Sequence, residues 1–358
     1  MAVLAAGVLT AACDVSPTDI VPNRDVEPVG RPTAVRGIYV SAIAAGTESR
    51  LAALLELAAT TDVNTFVIDV KDHGEVSHAS DVPLVEAVGA SRGYIADLGG
   101  LLETLRKRGI YPIARIAVFR DPLLAEARPG WAIHTKGDGP WLDPEDGRPW
   151  VDPYREAVWR YNIDLAREAL TAGFAEIQWD YVRFPDVPDS VSATWVLPER
   201  GGRTPDEVIR DFLDTSRREL AAFRAPVTAD VFGRVVTATD GSGIGQHWDE
   251  LVRVTDVVLP MIYPALYWPG NFGVPEPEAE PYGLVRAALE HARERLARTQ
   301  GARATIRPWL QAFTLGSATY GADEMAAQIK AVEDAGLDEW LFWNPASEYP
   351  AAAFRDVP

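Results

Sequence analysis

The sequence predicts a (β/α)8 barrel, and three observations carry that prediction. Apolar segments of strand length recur eight times between Gly37 and Trp343, and amphipathic helical patterns separate them. No glycine-rich phosphate loop follows the first segment, which ranks a doubly wound sheet second. Strand–helix alternation sustained along a whole domain closes into a barrel, with its binding face at the C-terminal ends of the strands.

In chain order the strands are expected at Gly37–Val40, Thr65–Val70, Tyr111–Phe119, Ala175–Val182, Val227–Phe232, Asp256–Tyr263, Thr305–Phe313 and Glu339–Trp343. Helices are expected near 50–60, 95–108, 154–172, 205–223, 246–253, 281–298 and 322–335. The fourth strand is the most informative. Ile177, Trp179 and Tyr181 alternate with Glu176, Gln178 and Asp180, so one face is large and apolar and the other polar. That pattern suits a barrel whose polar interior opens into a pocket. Two connections are long, 120–150 after the third strand and 185–204 after the fourth. Both are predicted on the C-terminal face, where long loops shape a cleft.

The strand ends bring an unusual set of side chains to that face. Strand two ends in Asp69, followed by Lys71 and Asp72, and strand three carries Arg115. Strand four ends in Asp180 with Arg183 beyond it, and strand five carries Asp230. Strands six, seven and eight end in Tyr263, Gln311 and Trp343. Charges inside runs of Val, Ala and Ile are costly unless they are paired or functional. A buried ion network around Arg115 is one reading. Three acids around a single arginine leave surplus negative charge, however, and that calls for a function.

Two carboxylates facing one cavity are the minimal equipment of a glycosidase. Asp180, beside Arg115 and Arg183, is expected to stay ionised and act as nucleophile. Asp230, flanked by apolar residues and facing other acids, is expected to hold its proton and act as acid/base. The histidines at 73, 78, 134, 247 and 291 show no metal-binding spacing, and the acidic stretch 138–146 lacks the EF-hand pattern. Neither a metal nor a cofactor is expected. The alternative is a carbohydrate-binding barrel without turnover, using aromatic platforms such as Trp131, Trp141, Trp268 and Trp343.

A net charge of −18, with 47% hydrophobic residues and 11 Trp, describes a globular protein. It argues against nucleic acid and anionic membrane surfaces as partners, and leaves a polysaccharide or oligosaccharide as the expected one. Residues 1–12 are apolar but too short to span a bilayer. With Thr10-Ala11-Ala12-Cys13 they resemble a bacterial lipobox, which makes Cys13 the expected lipidation site. Residues 14–35, with four prolines and no apolar period, read as a tether, and 36–358 as the barrel domain. The expected location is extracytoplasmic, with contact to the membrane only through the lipid; a secreted form is the alternative.

Several segments together resemble the bacterial putative glycoside hydrolase family, a group of TIM-barrel proteins similar to the α-amylase-like glycosidases. They are Arg36-Gly-Ile-Tyr-Val40, Val67-Ile-Asp-Val-Lys-Asp72, Gly109-Ile-Tyr-Pro-Ile-Ala-Arg115, Val118-Phe-Arg-Asp-Pro122, Trp150-Val-Asp-Pro-Tyr154, Trp159-Arg-Tyr-Asn162, Gln178-Trp-Asp-Tyr-Val-Arg-Phe-Pro185 and Ala229-Asp-Val-Phe-Gly233. The resemblance implies a nucleophile after strand four and an acid after strand five, the positions of Asp180 and Asp230, with Asp where amylases carry Glu. It also implies that Asp69, Lys71, Asp72, Arg115, Asp121, Asp152, Tyr154, Arg183 and Tyr263 line the pocket.

Overall fold

The computed structural model describes residues 29–137 and 139–354; Cys13 and the lipobox-like segment lie outside them. Eight parallel strands form the barrel: β1 (Arg36–Val40), β2 (Thr65–Asp72), β3 (Tyr111–Ala117), β4 (Glu176–Asp180), β5 (Val227–Phe232), β6 (Val257–Ile262), β7 (Thr305–Ile306 and Trp309–Gln311) and β8 (Trp340–Trp343). β1 pairs with both β2 and β8, so the sheet closes. Between the strands run α1 (Glu48–Ala59), α2 (Leu98–Lys107), α3 (Glu156–Ala172), α4 (Pro205–Glu219), α5 (Trp248–Val254), α6 (Pro281–Arg298) and α7 (Ala322–Asp334). The fold is the (β/α)8 barrel that the alternation predicts. β7 is split where the single long strand was expected, because Pro308 has no N–H to give the ladder.

The two faces of β4 separate as its alternation requires. Ile177 and Trp179 point outward into the helical layer. There Phe212 of α4 meets Phe119, Trp159 and Trp179 edge-on, and Trp179 Nε1 donates to Ser216 Oγ at 3.1 Å. Glu176, Gln178 and Asp180 point into the barrel, where each meets a polar partner from another strand. Tyr181 departs from the expected pattern. The strand stops at Asp180, and Tyr181 turns into the left-handed region (φ 47°), which carries its ring over the barrel mouth.

The N-terminal end of the barrel is sealed by charge. Arg307 is fully buried; its Nη1 donates to Glu176 at 2.6 Å and its Nε to Glu339 at 3.0 Å. Arg31 reaches the other Glu339 oxygen at 2.6 Å, and Val35 is buried inside the barrel. Residues 29–35 therefore belong to the barrel floor, which corrects their assignment to the tether. They are held by an ion pair and an apolar plug that a proline-rich composition does not reveal.

At the opposite end, the two long connections join. His134–Thr135 and Trp195–Val196 pair as an antiparallel ribbon, and Trp141 meets Trp195 edge-on at 5.4 Å. Arg155–Glu199 at 2.7 Å adds a second tie. The ribbon leads into α4, which starts with a reciprocal capping box: Thr204 Oγ1 accepts from Glu207 N, and the Glu207 carboxylate accepts from Thr204 N. Thr204→Ala is expected to cost about 1 kcal/mol in urea unfolding, and Glu207→Gln, which keeps an acceptor, distinctly less.

Candidate active site

The site starts from a bulge. The pairing of β2 with β3 shifts register between Asp69 and Lys71: Asp69 lies opposite Arg115, and Lys71 opposite Ile116. One extra residue reverses the alternation beyond it. Asp69 and Asp72, three positions apart, therefore both face Arg115, while Lys71 is turned out of the barrel. Arg115 Nη1 lies 2.5 Å from Asp69 and 3.4 Å from Asp72. Its Nε and Nη2 both donate to Asp180 Oδ2, at 2.9 and 2.7 Å. The other Asp180 oxygen accepts from Tyr181 N at 2.6 Å, so the left-handed turn at Tyr181 supplies a donor as well as a ring.

Asp230 is held differently. Its Oδ1 accepts from Trp309 Nε1 at 2.8 Å and its Oδ2 from Gln178 Nε2 at 3.1 Å. Gln246 Nε2 donates to the Asp230 carbonyl at 3.0 Å, and Gln246 Oε1 accepts from Phe232 N, which fixes the end of β5. Both carboxylate oxygens thus meet neutral donors alone. Burial raises the Asp230 pKa well above the carboxylate range, and the nearby Asp180 charge raises it further. Burial also pushes Asp69 up to about 6 against the pull of Arg115. Tyr263 lies close enough to Asp230 and Asp180 for both charges to raise its phenol further, on top of burial.

Aromatic rings complete the mouth. Trp343 stacks on Tyr39 with ring centres 3.9 Å apart, and the Arg115 guanidinium lies 5.0 Å from the Trp343 ring. Tyr39 Oη donates to Asp69 Oδ2 at 2.5 Å. Arg183 sits among Trp150, Tyr181 and Phe232. The structure thus brings together Asp69, Asp72, Arg115, Asp180, Asp230, Tyr263 and Trp343, with Arg183 on the adjoining wall.

Of the other residues singled out from the sequence, Lys71, Asp121, Asp152 and Tyr154 lie elsewhere, while Gln311 stands opposite Trp343 at the end of β7. Lys71 and Asp121 form a buried ion pair with each other at 2.7 Å, with Lys71 5.0 Å from the Tyr161 ring on α3. Asp121 also caps the short helix at 122–127 through Leu124 N. Asp152 accepts from Tyr154 N, and Tyr154 donates to the Arg203 carbonyl, so these two brace the loops against one another. Gln311 ties β7 to the loop after β6 by accepting from Ala265 N, and its own side-chain amide donates to the Phe313 carbonyl. Tyr39, Trp309 and Gln246 were not singled out. Tyr39 and Trp309 could have been found as aromatic residues on the inward alternation of β1 and β7, whereas Gln246 comes from a loop and gave no signal.

Among the described residues, no group of His, Cys, Asp and Glu is arranged to hold a metal ion. No helix there is long and apolar enough to cross a membrane.

No curated protein matches the chain. A hypothetical protein from Ruminiclostridium thermocellum is 32% identical over 55% of this chain and 97% of its own, with a TM-score of 0.49. The glycoside hydrolase domain of PgaB (BpsB) from Bordetella bronchiseptica aligns over 91% of this chain and 100% of its own at 13% identity, with a TM-score of 0.64. An α-galactosidase from Thermus thermophilus aligns over 93% of this chain and 64% of its own at 18% identity, with a TM-score of 0.52. The last two likenesses establish the fold. Residues 37–349 match the family described as "Putative glycosyl hydrolase domain", and the chain belongs to that family.

Proposed function

We propose that the protein hydrolyses O-glycosidic bonds within a polysaccharide through Asp180 and Asp230. The observation that carries this reading is the unequal treatment of the two carboxyls. Asp180 has a guanidinium counter-ion that bonds it twice, whereas Asp230 is buried against neutral donors alone, and burial beside Asp180 raises its pKa. A protonated acid beside an anionic partner is the pairing that glycoside cleavage needs. Asp230 delivers its proton to the leaving oxygen as the anomeric C–O bond breaks, and Asp180 stabilises or captures the positive charge that develops on the anomeric carbon. Water then takes the place of the leaving group, and its proton returns to Asp230. The glycoside hydrolase domain and the galactosidase with the same fold support the reaction class.

The test is release of reducing ends from bacterial envelope and storage glycans by wild type and Asp180→Asn, with binding recorded for each glycan. Release that disappears in the variant while binding persists is expected. Binding without release by either protein would favour a carbohydrate-binding barrel, a reading to which the 79% exposed Trp268 lends some weight.

We further propose that the protein acts outside the cytoplasm, held by a lipid on Cys13, which places cell-envelope glycan within its reach. Loss of radiolabelled palmitate from a Cys13→Ala variant would support this, and equal labelling would refute it.

A further inference from the structure

Three cations close to the two catalytic strands are matched with acids, and Arg183 beside them is not. Arg115 meets three aspartates, Arg120 meets Glu145 and Asp146, and Arg234 meets Asp186 through two bonds at 2.8 Å each. Among the described residues Arg183 has no carboxylate within ion-pair distance. One N–H donates to the Phe184 carbonyl at 2.9 Å, and no other acceptor among the described residues meets the guanidinium.

Its surroundings are aromatic. The rings of Phe232, Trp150 and Tyr181 stand 4.5, 5.0 and 5.1 Å from it. Arg183 is partly exposed, so the group is crowded yet not sealed from solvent. Its position is also specific: it follows Asp180 by three residues, and Phe232 follows Asp230 by two. An apolar side chain would pack against three rings without the cost of desolvating a charge, which here lowers the proton affinity of the guanidinium. In a chain of net charge −18, a cation left without an acid at this position is best explained by a ligand that brings the acid.

We propose that Arg183, walled by Trp150, Tyr181 and Phe232, forms a subsite for a sugar that carries a carboxylate, a uronic acid or a lactyl ether. The fork of the guanidinium pairs with the carboxylate while a ring takes the C–H face of the sugar. A single carboxylate fits better than a phosphate, because a dianion so close to Asp180 would meet repulsion that one guanidinium does not offset. This rests on the glycosidase reading for its position in the cleft but is tested by binding, so the two can fail separately.

The experiment is calorimetric titration of the full chain with oligomers of galacturonate, of mannuronate and of the alternating N-acetylglucosamine–N-acetylmuramic acid repeat. Each is paired with its carboxyl-reduced form. Wild type is expected to prefer at least one acidic oligomer over its reduced partner by about 10- to 100-fold, as one charged hydrogen-bonded pair gives. Arg183→Gln is expected to abolish that ratio, and Arg183→Lys to keep part of it; circular dichroism reports whether each is folded. If the Gln variant does not fold, the Lys variant decides: a surviving preference upholds the subsite and a lost one overturns it. Equal affinity for every acidic and reduced pair in wild type, or a ratio that survives in Arg183→Gln, would overturn the proposal. Acid preference without release of reducing ends would keep the subsite and sink the hydrolase. Release without acid preference would do the reverse.

Discussion

Asp230→Asn is expected to lose turnover and to gain stability at neutral pH. Removing a positioned general acid costs roughly 10²- to 10⁴-fold in rate, and Asn has no proton to give the leaving oxygen. The stability gain follows from the raised pKa. In the unfolded chain the Asp230 carboxyl ionises near 4, whereas burial beside Asp180 makes the folded protein hold that proton to higher pH. Below the ordinary carboxylate range both states are protonated, and the group does not affect folding. As pH rises through the range between the two values, the unfolded chain releases its proton first, and the wild type becomes progressively less stable. Asn mimics the protonated form at every pH, so this loss is absent from the variant.

The hydrogen bonds can accommodate the change. Trp309 Nε1 still has an oxygen to donate to. Gln178 Oε1, which is buried without a partner, can accept the new Asn N–H once its amide rotates. Thermal melts of wild type and variant should therefore coincide near pH 4 and separate toward pH 8, with the variant higher. A variant less stable than wild type at pH 8 would mean that Asp230 is held as an anion, and its assignment as the acid would fall. The activity of the wild type should likewise fall as pH rises through the raised Asp230 value.

Much of this was legible in the sequence, for a physical reason. Charged residues cannot sit in apolar strands by accident, so Asp69, Arg115, Asp180 and Asp230 stood out against Val, Ile and Ala, and the structure gathers all four. Features set by local departures from regularity stayed hidden. Period-two alternation places Lys71 beside Asp69, but the bulge at residue 70 turns it outward to Asp121 and brings Asp72 inward instead. The same alternation sends Tyr181 to the helical face, whereas its left-handed backbone swings it over the mouth between Arg120 and Arg183. The floor of the barrel was invisible because Arg31, Glu176, Arg307 and Glu339 are far apart in sequence, and only closure of the sheet makes them neighbours. Tyr154, placed at the pocket from the sequence, braces loops instead, since its hydroxyl is spent on the Arg203 carbonyl.

Arg115→Met should be the most damaging single change in the mouth. The methionine fills much of the same volume but strands Asp69 and Asp180 in a place where burial pushes Asp69 up to about 6 even against the pull of Arg115. Removing one partner of a buried ion pair typically costs about 3–5 kcal/mol, because the remaining charge has neither water nor counter-ion. Here one guanidinium serves two buried carboxylates and a third at the rim, so the loss should lie at the upper end in urea unfolding at pH 8. The pH dependence identifies the cause. Stranded acids that take up protons in the folded variant make the gap between wild type and Arg115→Met shrink as pH falls toward 5, whereas a cost from lost packing would not change with pH. Arg115→Lys should recover part of the stability, since a point charge remains, yet not the activity: an ammonium cannot bond Asp180 with two parallel N–H groups and reach Asp69 at once. Stability and turnover then separate in one pair of variants. The arginine is needed as a charge for the barrel to fold, and as a fork to aim Asp180 at the substrate.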